Sequence, residues 1–133
     1  MPEFAGRIRF PGFMGGAELS RWIGGALLTV VPSRWHDNAP LSIYESLGHA
    51  TAVAGAAMGG IPEQIREGVD GVLFDPDDPR GLASKLSALL ADKPALTRMG
   101  RAGREQVLAV NNPAANAAQL AGILAELQTM RSR

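Results

Sequence analysis

The sequence predicts an α/β fold: a parallel sheet with helices packed on it. Three observations carry this. Short apolar runs alternate with helical patterns from residue 7 to residue 74, and the remainder is helical throughout. Glycine is abundant (16 residues) and aromatics are only 5% of the chain, so sheet and helices must pack closely through small side chains. The length, 133 residues, suffices for one ordinary core and not for two substantial domains. The chain therefore reads as one domain, 1–133, without internal repeat or linker, closed by a helix over 113–130.

RIRF (7–10) alternates as a strand does and runs into the turn residues Pro11 and Gly12. Residues 17–24 follow as a short helix, with Leu19, Trp22 and Ile23 on one side. LLTVV (27–31) is rich in β-branched residues and stops at Pro32, as a buried strand would. Pro40 to Gly48 reads as a helix, with Leu41, Tyr44 and Leu47 at helical spacing. TAVAG (51–55) is a strand of small residues, GGIPEQIREG (59–68) holds a short helix beginning near Pro62, and GVLF (71–74) is a further strand. Asp78 before Pro79 starts a helix whose stripe is Leu82, Leu86, Leu89 and Leu90. Pro94 opens another, carrying Leu96, Met99 and Val107. Asn112 and Pro113 open the last, with Leu120, Ile123, Leu124 and Leu127 as its expected buried face.

Composition narrows the function. Thirteen basic and thirteen acidic side chains balance, which gives no electrostatic reason to expect nucleic acid or an anionic membrane as partner. The absence of cysteine removes disulfides, thiolate chemistry and cysteine-ligated zinc. MPEFAGRIRF lacks the basic-then-apolar order of a signal peptide, and no apolar run approaches the ~20 residues of a membrane helix. A cytoplasmic protein is the expectation. No Gly-x-Gly-x-x-Gly follows a strand and no Gly-Lys-Ser/Thr is present, so ordinary dinucleotide and triphosphate sites are unsupported.

In parallel sheets ligands bind beyond the carboxyl ends of the strands. PSRWHDNAPLSIYESL (32–47) is such a strand-to-helix connection, with Asp37 and Glu45 eight positions apart across it. Two readings are open. In one, Asp37 or Asn38 caps the helix and Glu45 is a solvated carboxylate. In the other, the amides at 38–42 face a phosphate or diphosphate at the positive end of the helix dipole. Glu45, one turn further in, would then accept from a vicinal diol such as a ribose, and Asp37 from sugar hydroxyls. DPDDP (75–79) reads as a turn with an N-cap, since it lacks the spaced ligands of a calcium loop. His36 reads as a surface residue and Arg34 as a solvated loop charge. His49 suits the negative end of a helix dipole, and Trp35 reads as covering the loop's apolar underside.

The motifs in order resemble the C-terminal, donor-binding domain of the GT-B glycosyltransferases of group 1, family 4. The acidic pair after Pro32-Ser33 resembles that family's Glu-x7-Glu pattern. Gly59-Gly60-Ile61-Pro62-Glu63, EGVDGVLFDPDDPRGLASKL (67–86), RMGRAGREQV (98–107) and RIRFPGF (7–13) extend the likeness over residues 4–107. The resemblance implies a partial Rossmann-like sheet lacking the first two strands of the full domain. It also implies transfer of a sugar, with retention, from a nucleoside-diphosphate sugar to an unspecified acceptor. Asp37 would be the catalytic residue at the donor sugar. Asn38, Ala39, Pro40 (through its carbonyl) and Leu41 would lie along the sugar and diphosphate, and Glu45 would bind the ribose. Amides and basic side chains rather than a metal or other cofactor would offset leaving-group charge.

The chain departs from the family pattern in places. Asp37 is one methylene shorter than the usual Glu, and Pro40 cannot donate a hydrogen bond. Ala50 stands where a helix-ending Gly is usual, at a cost on the order of 1 kcal/mol if the backbone there is left-handed. Ala52 replaces a proline. The acceptor domain and the strands carrying the family's diphosphate-binding Arg and Lys have no counterpart, so a partner chain or missing domain is implied and the chain alone is expected to be inactive. The alternatives are a non-catalytic nucleotide-sugar-binding subunit of a split enzyme and a truncated product without activity. In the family's strand order, 3-2-1-4-5-6, the missing strands separate RIRF from LLTVV. Either RIRF lies against LLTVV in a rearranged sheet, or the exposed edge drives self-association.

Overall fold

The computed structural model describes residues 6–131. Its elements are α1 (Gly16–Gly25), β1 (Leu28–Val31), α2 (Leu41–Gly48), β2 (Ala52–Ala56), α3 (Ile61–Gln64), β3 (Gly71–Phe74), α4 (Pro79–Ala91), α5 (Lys93–Val110) and α6 (Pro113–Arg131). The three strands form one parallel sheet in the order β1-β2-β3, with Leu28 opposite Ala52 and Val53 opposite Gly71. Every residue of β2 is buried, as a central strand covered on both faces requires.

The core gathers Val31, Ile43, Leu47, Val53, Ala54, Ala56, Ile61, Ile65, Val72 and Phe74, with Leu82, Leu86, Leu89 and Val107 packed against it. Small residues in β2 let helices approach closely. A Cβ on Gly55 would stand 2.5 Å from Ile65 Cδ1. On α5 a Cβ at Gly103 would stand 2.5 Å from Leu47 Cδ2, and one at Gly100 would stand 1.9 Å from the Ala50 carbonyl oxygen. The glycines of RMGRAGREQV thus let α5 lie directly on the end of α2.

α2 ends in a Schellman motif. Thr51 N–H donates to Ser46 O (2.9 Å) and Ala50 N–H to Leu47 O (2.9 Å), with His49 as C-cap. That geometry needs a left-handed residue, and Ala50 adopts φ +59°. Arg104 of α5 donates through Nη1 to the Gly48 carbonyl, covering another free acceptor at this end. Thr51 Oγ1 reaches back to Ile23 O (2.8 Å) and ties down the end of α1. α4 and α5 begin on the side chains of Asp78 and Asp92, which accept from Gly81 N–H and Ala95 N–H.

Three expectations fail. RIRF is not a strand: residues 6–8 form a turn and bend, residues 9 and 10 have no regular structure, and Phe10 is 93% exposed. It does not lie against β1, so the rearranged sheet is ruled out. An alternating segment without a hydrogen-bonded neighbour gains nothing from extension. On α6, Leu120, Ile123, Leu124 and Leu127 are each about half exposed rather than buried, because among the described elements α6 meets only α5 in substance. On α4, Leu90 is exposed, leaving Leu82, Leu86 and Leu89 as the packed stripe.

Candidate functional site

The connection from β1 to α2 lies beyond the carboxyl end of the sheet. Val31 and Ser33 are buried where the strand ends. Asp37 N–H then donates to Trp35 O (3.0 Å), turning the chain. Trp35 points outward, 65% exposed, so it does not cover the loop's underside as expected. Asp37 is half-buried, Asn38 and Ala39 are exposed, Pro40 is half-buried and Leu41 is exposed.

The N-cap of α2 is Pro40 itself, with no side-chain cap. Neither Asp37 nor Asn38 caps the helix, which corrects that reading of both residues. The cause lies in the next connection. Gly60 N–H donates to Asp37 O (2.8 Å). A Cβ on Gly60 would stand 1.7 Å from Asn38 O, and one on Gly59, whose φ is +58°, would stand 2.4 Å from Asp37 O. The glycine pair forms a seat for the Asp37–Asn38 backbone, which settles there instead of turning its side chains back onto α2.

Pro40 O accepts from Ile43 N–H (3.1 Å) and from Gln64 Nε2 (3.3 Å). Leu41 and Ser42 thus carry the first N–H groups of α2, at the positive end of its dipole. Glu45 is exposed, one turn on from Leu41, while Ile43, Ser46 and Leu47 face the interior. The structure therefore brings Asp37, Asn38, Ala39, Pro40, Leu41 and Glu45 to one loop-to-helix junction. Three surface hollows lie elsewhere: beside Glu18, Arg21 and Trp22; between Ala57, Phe74, Asp78 and Lys85; and along Leu124, Leu127 and Met130. Asp37 and Glu45 line none of these three.

Arg34, in the same connection, is exposed and pairs with Asp77 at 2.8 Å, joining the loops that follow β1 and β3. Asp75 and Asp78 accept from backbone N–H groups of Asp77 and Gly81, so DPDDP is the expected turn and cap. Among the described residues no group of three His, Cys, Asp or Glu is placed to hold a metal ion, and no helix is long and apolar enough to cross a membrane.

Two features were not anticipated. Asp70 is 1% exposed and accepts from Arg66 N–H (2.8 Å) and Arg66 Nε (2.6 Å), while Arg66 Nη2 donates to Ala102 O (3.0 Å). The opposite charges four residues apart around Gly68 were the available signal. Gln64 gave none, because a polar residue in a short exposed-looking helix reads as solvated.

The family model described as glycosyl transferases group 1 matches residues 3–106. The chain belongs to this family. A D-inositol 3-phosphate glycosyltransferase of Thermobispora bispora is 40% identical over 109 residues, covering 82% of this chain and 25% of that protein. An alpha-maltose-1-phosphate synthase of Mycobacterium tuberculosis is 36% identical over 99 residues, 68% of this chain and 25% of that protein. The chain spans about a quarter of the length of both relatives. Sucrose-phosphate synthase of Thermosynechococcus elongatus superposes with a TM-score of 0.82 at 28% identity, over 96% of this chain and 32% of that one. HepE of Anabaena, solved with UDP, superposes at 0.84 with 20% identity, over 93% of this chain and 34% of that one. The three strands and their helices are thus part of a GT-B fold.

Proposed function

We infer that the junction of β1 and α2 holds the nucleoside-diphosphate sugar of a retaining glycosyltransferase. One observation carries the reading. Within a match to the group 1 family over residues 3–106, the Asp37–Asn38 backbone is seated on Gly59-Gly60 directly before the uncapped start of α2. The amides of Leu41 and Ser42, with the α2 dipole, meet the diphosphate as negative charge develops on it. Asn38, Ala39 and the Pro40 turn lie along the sugar and diphosphate. Glu45 accepts from the ribose hydroxyls, and Asp37, the catalytic residue, accepts from sugar hydroxyls near the reacting carbon. HepE, whose fold is shared, is solved with UDP-glucose. The expected setting is the cytoplasm, with no metal needed for the leaving group.

A second reading is a non-catalytic nucleotide-sugar-binding subunit completed by another polypeptide or by a second copy. It is favoured by β1, which among the described residues pairs only with β2, with Val30 in the strand and Leu27 just before it exposed. Light scattering behind size exclusion tests the second copy, and a monomer at all concentrations removes it.

Calorimetric titration with UDP-, GDP- and ADP-glucose tests the site itself. Glu45→Ala should weaken binding of the preferred donor by about tenfold, since a charged acceptor for two hydroxyls is lost. Equal binding by parent and variant would remove Glu45 from the ribose.

A further inference from the structure

α3 exposes Pro62 and Glu63 and turns Ile61 and Gln64 inward. Gln64 is 8% exposed. Its Nε2 donates to Pro40 O at 3.3 Å, and its Oε1 is sealed from solvent with no hydrogen-bond partner. The amide cannot improve this by rotating. Exchanging its two ends would set Oε1 against the Pro40 oxygen and lose the one bond it makes. A buried acceptor left unpaired is destabilising, and a leucine would occupy much the same volume without that defect. A side chain kept against the interest of stability, in contact with the start of a ligand-facing helix, points to function.

Pro40 explains what that function is. It is the N-cap of α2 and has no N–H, so the chain can be held there only through its carbonyl. That carbonyl has two partners, Ile43 N–H within the turn and Gln64 Nε2 from outside it. Gln64 is therefore the only described side chain that hydrogen-bonds this end of α2 from another element. We propose that Gln64 is a positioning residue, whose amide fixes the Pro40 carbonyl and so aims the Leu41 and Ser42 N–H groups at the diphosphate of a nucleotide sugar. The inference rests on the donor-site reading above and adds a residue to it.

The test compares the full chain with Gln64→Leu and Gln64→Glu by three readouts. Urea unfolding reports stability, amide hydrogen exchange at Ile43 reports the order of the turn without ligand, and calorimetry with UDP-glucose reports binding. Gln64→Leu should unfold at the same or higher urea concentration. It should nevertheless exchange Ile43 about three- to tenfold faster and bind UDP-glucose weaker by a similar factor, the usual range for one neutral hydrogen bond. Gln64→Glu keeps the length but replaces the donor with an oxygen, and should repeat the losses in exchange and binding. A purely structural glutamine would move stability and binding in the same direction. A joint fall of both in Gln64→Leu, or Ile43 exchange and affinity equal to the parent, overturns the proposal. Faster Ile43 exchange in a chain whose parent also fails to bind UDP-glucose upholds the hold on Pro40 and overturns the diphosphate as its purpose.

Discussion

Replacing Ala50 with glycine should stabilise the protein. Ala50 is the C′ residue of the Schellman motif that ends α2, with φ +59°, and both hydrogen bonds of the motif are made. A left-handed residue with a Cβ is disfavoured by about 1–2 kcal/mol. Glycine removes that term, but returns about 0.5–1 kcal/mol through the greater freedom of the unfolded chain. Loss of a half-buried methyl subtracts roughly 0.4 kcal/mol, half the value of a fully buried methylene. The central values leave a gain of about 0.35 kcal/mol for Ala50→Gly. With a urea dependence of about 2 kcal/mol per molar, the unfolding midpoint should rise by roughly 0.2 M at unchanged slope. Tm should rise by about 1–2 °C. A midpoint equal to or below that of the parent, with the slope unchanged, would refute the claim that the left-handed alanine is a local strain.

Two further substitutions probe how the site is held. Gly60→Ala would place a methyl 1.7 Å from Asn38 O, so the loop must move; a loss of about 1–3 kcal/mol in urea unfolding is expected, with amide shifts concentrated at residues 37–41 rather than in the sheet. Arg66→Ala leaves Asp70 buried with only the Arg66 N–H for company; thermal and urea unfolding should show a loss of about 2–4 kcal/mol, and a loss below about 0.5 kcal/mol would mean that the pair is not what keeps Asp70 inside.

What the sequence discloses and what it withholds divide along a physical line. TAVAG and GVLF are recognisable because a buried parallel strand must be apolar whichever face is considered, and LLTVV by its β-branched run, although as the edge strand it buries only Val31 rather than lying buried as expected. Asp78 before Pro79 is legible because a cap acts within three residues of itself. The left-handed backbone at Ala50 is foreseen only through the glycine usual at that place in the family. RIRF and the leucines of α6 mislead for one reason. Periodicity shows that a segment has an apolar side, whereas burial depends on whether another element comes to cover it. The N-cap of α2 misleads for a related reason. Asp37 and Asn38 have the right chemistry for capping, but their backbone is claimed by Gly59 and Gly60, more than twenty residues away in sequence. The burial of Gln64 is likewise a product of tertiary packing and leaves no local trace, and that of Asp70 leaves only the opposite charge of Arg66 four residues before it.

The same long-range contacts bear on how α2 could present the groups proposed to bind the donor. A helix of eight residues has little stability of its own. Here its carboxyl end is pressed by Gly100 of α5 and covered by Arg104, and its amino end is gripped through Pro40 by Gln64 of α3. Ile43 and Leu47 anchor its middle in the core. Each of these contacts leaves the exposed side, with Leu41 and Glu45, untouched. Fixing a helix from its two ends and its buried face limits how far its first amides and Glu45 can rearrange. Under the proposed function, that rigidity is what electrostatic stabilisation of a leaving diphosphate would require. On this view the unpaired Gln64 oxygen and the left-handed Ala50 are the costs of holding one short helix in a single orientation.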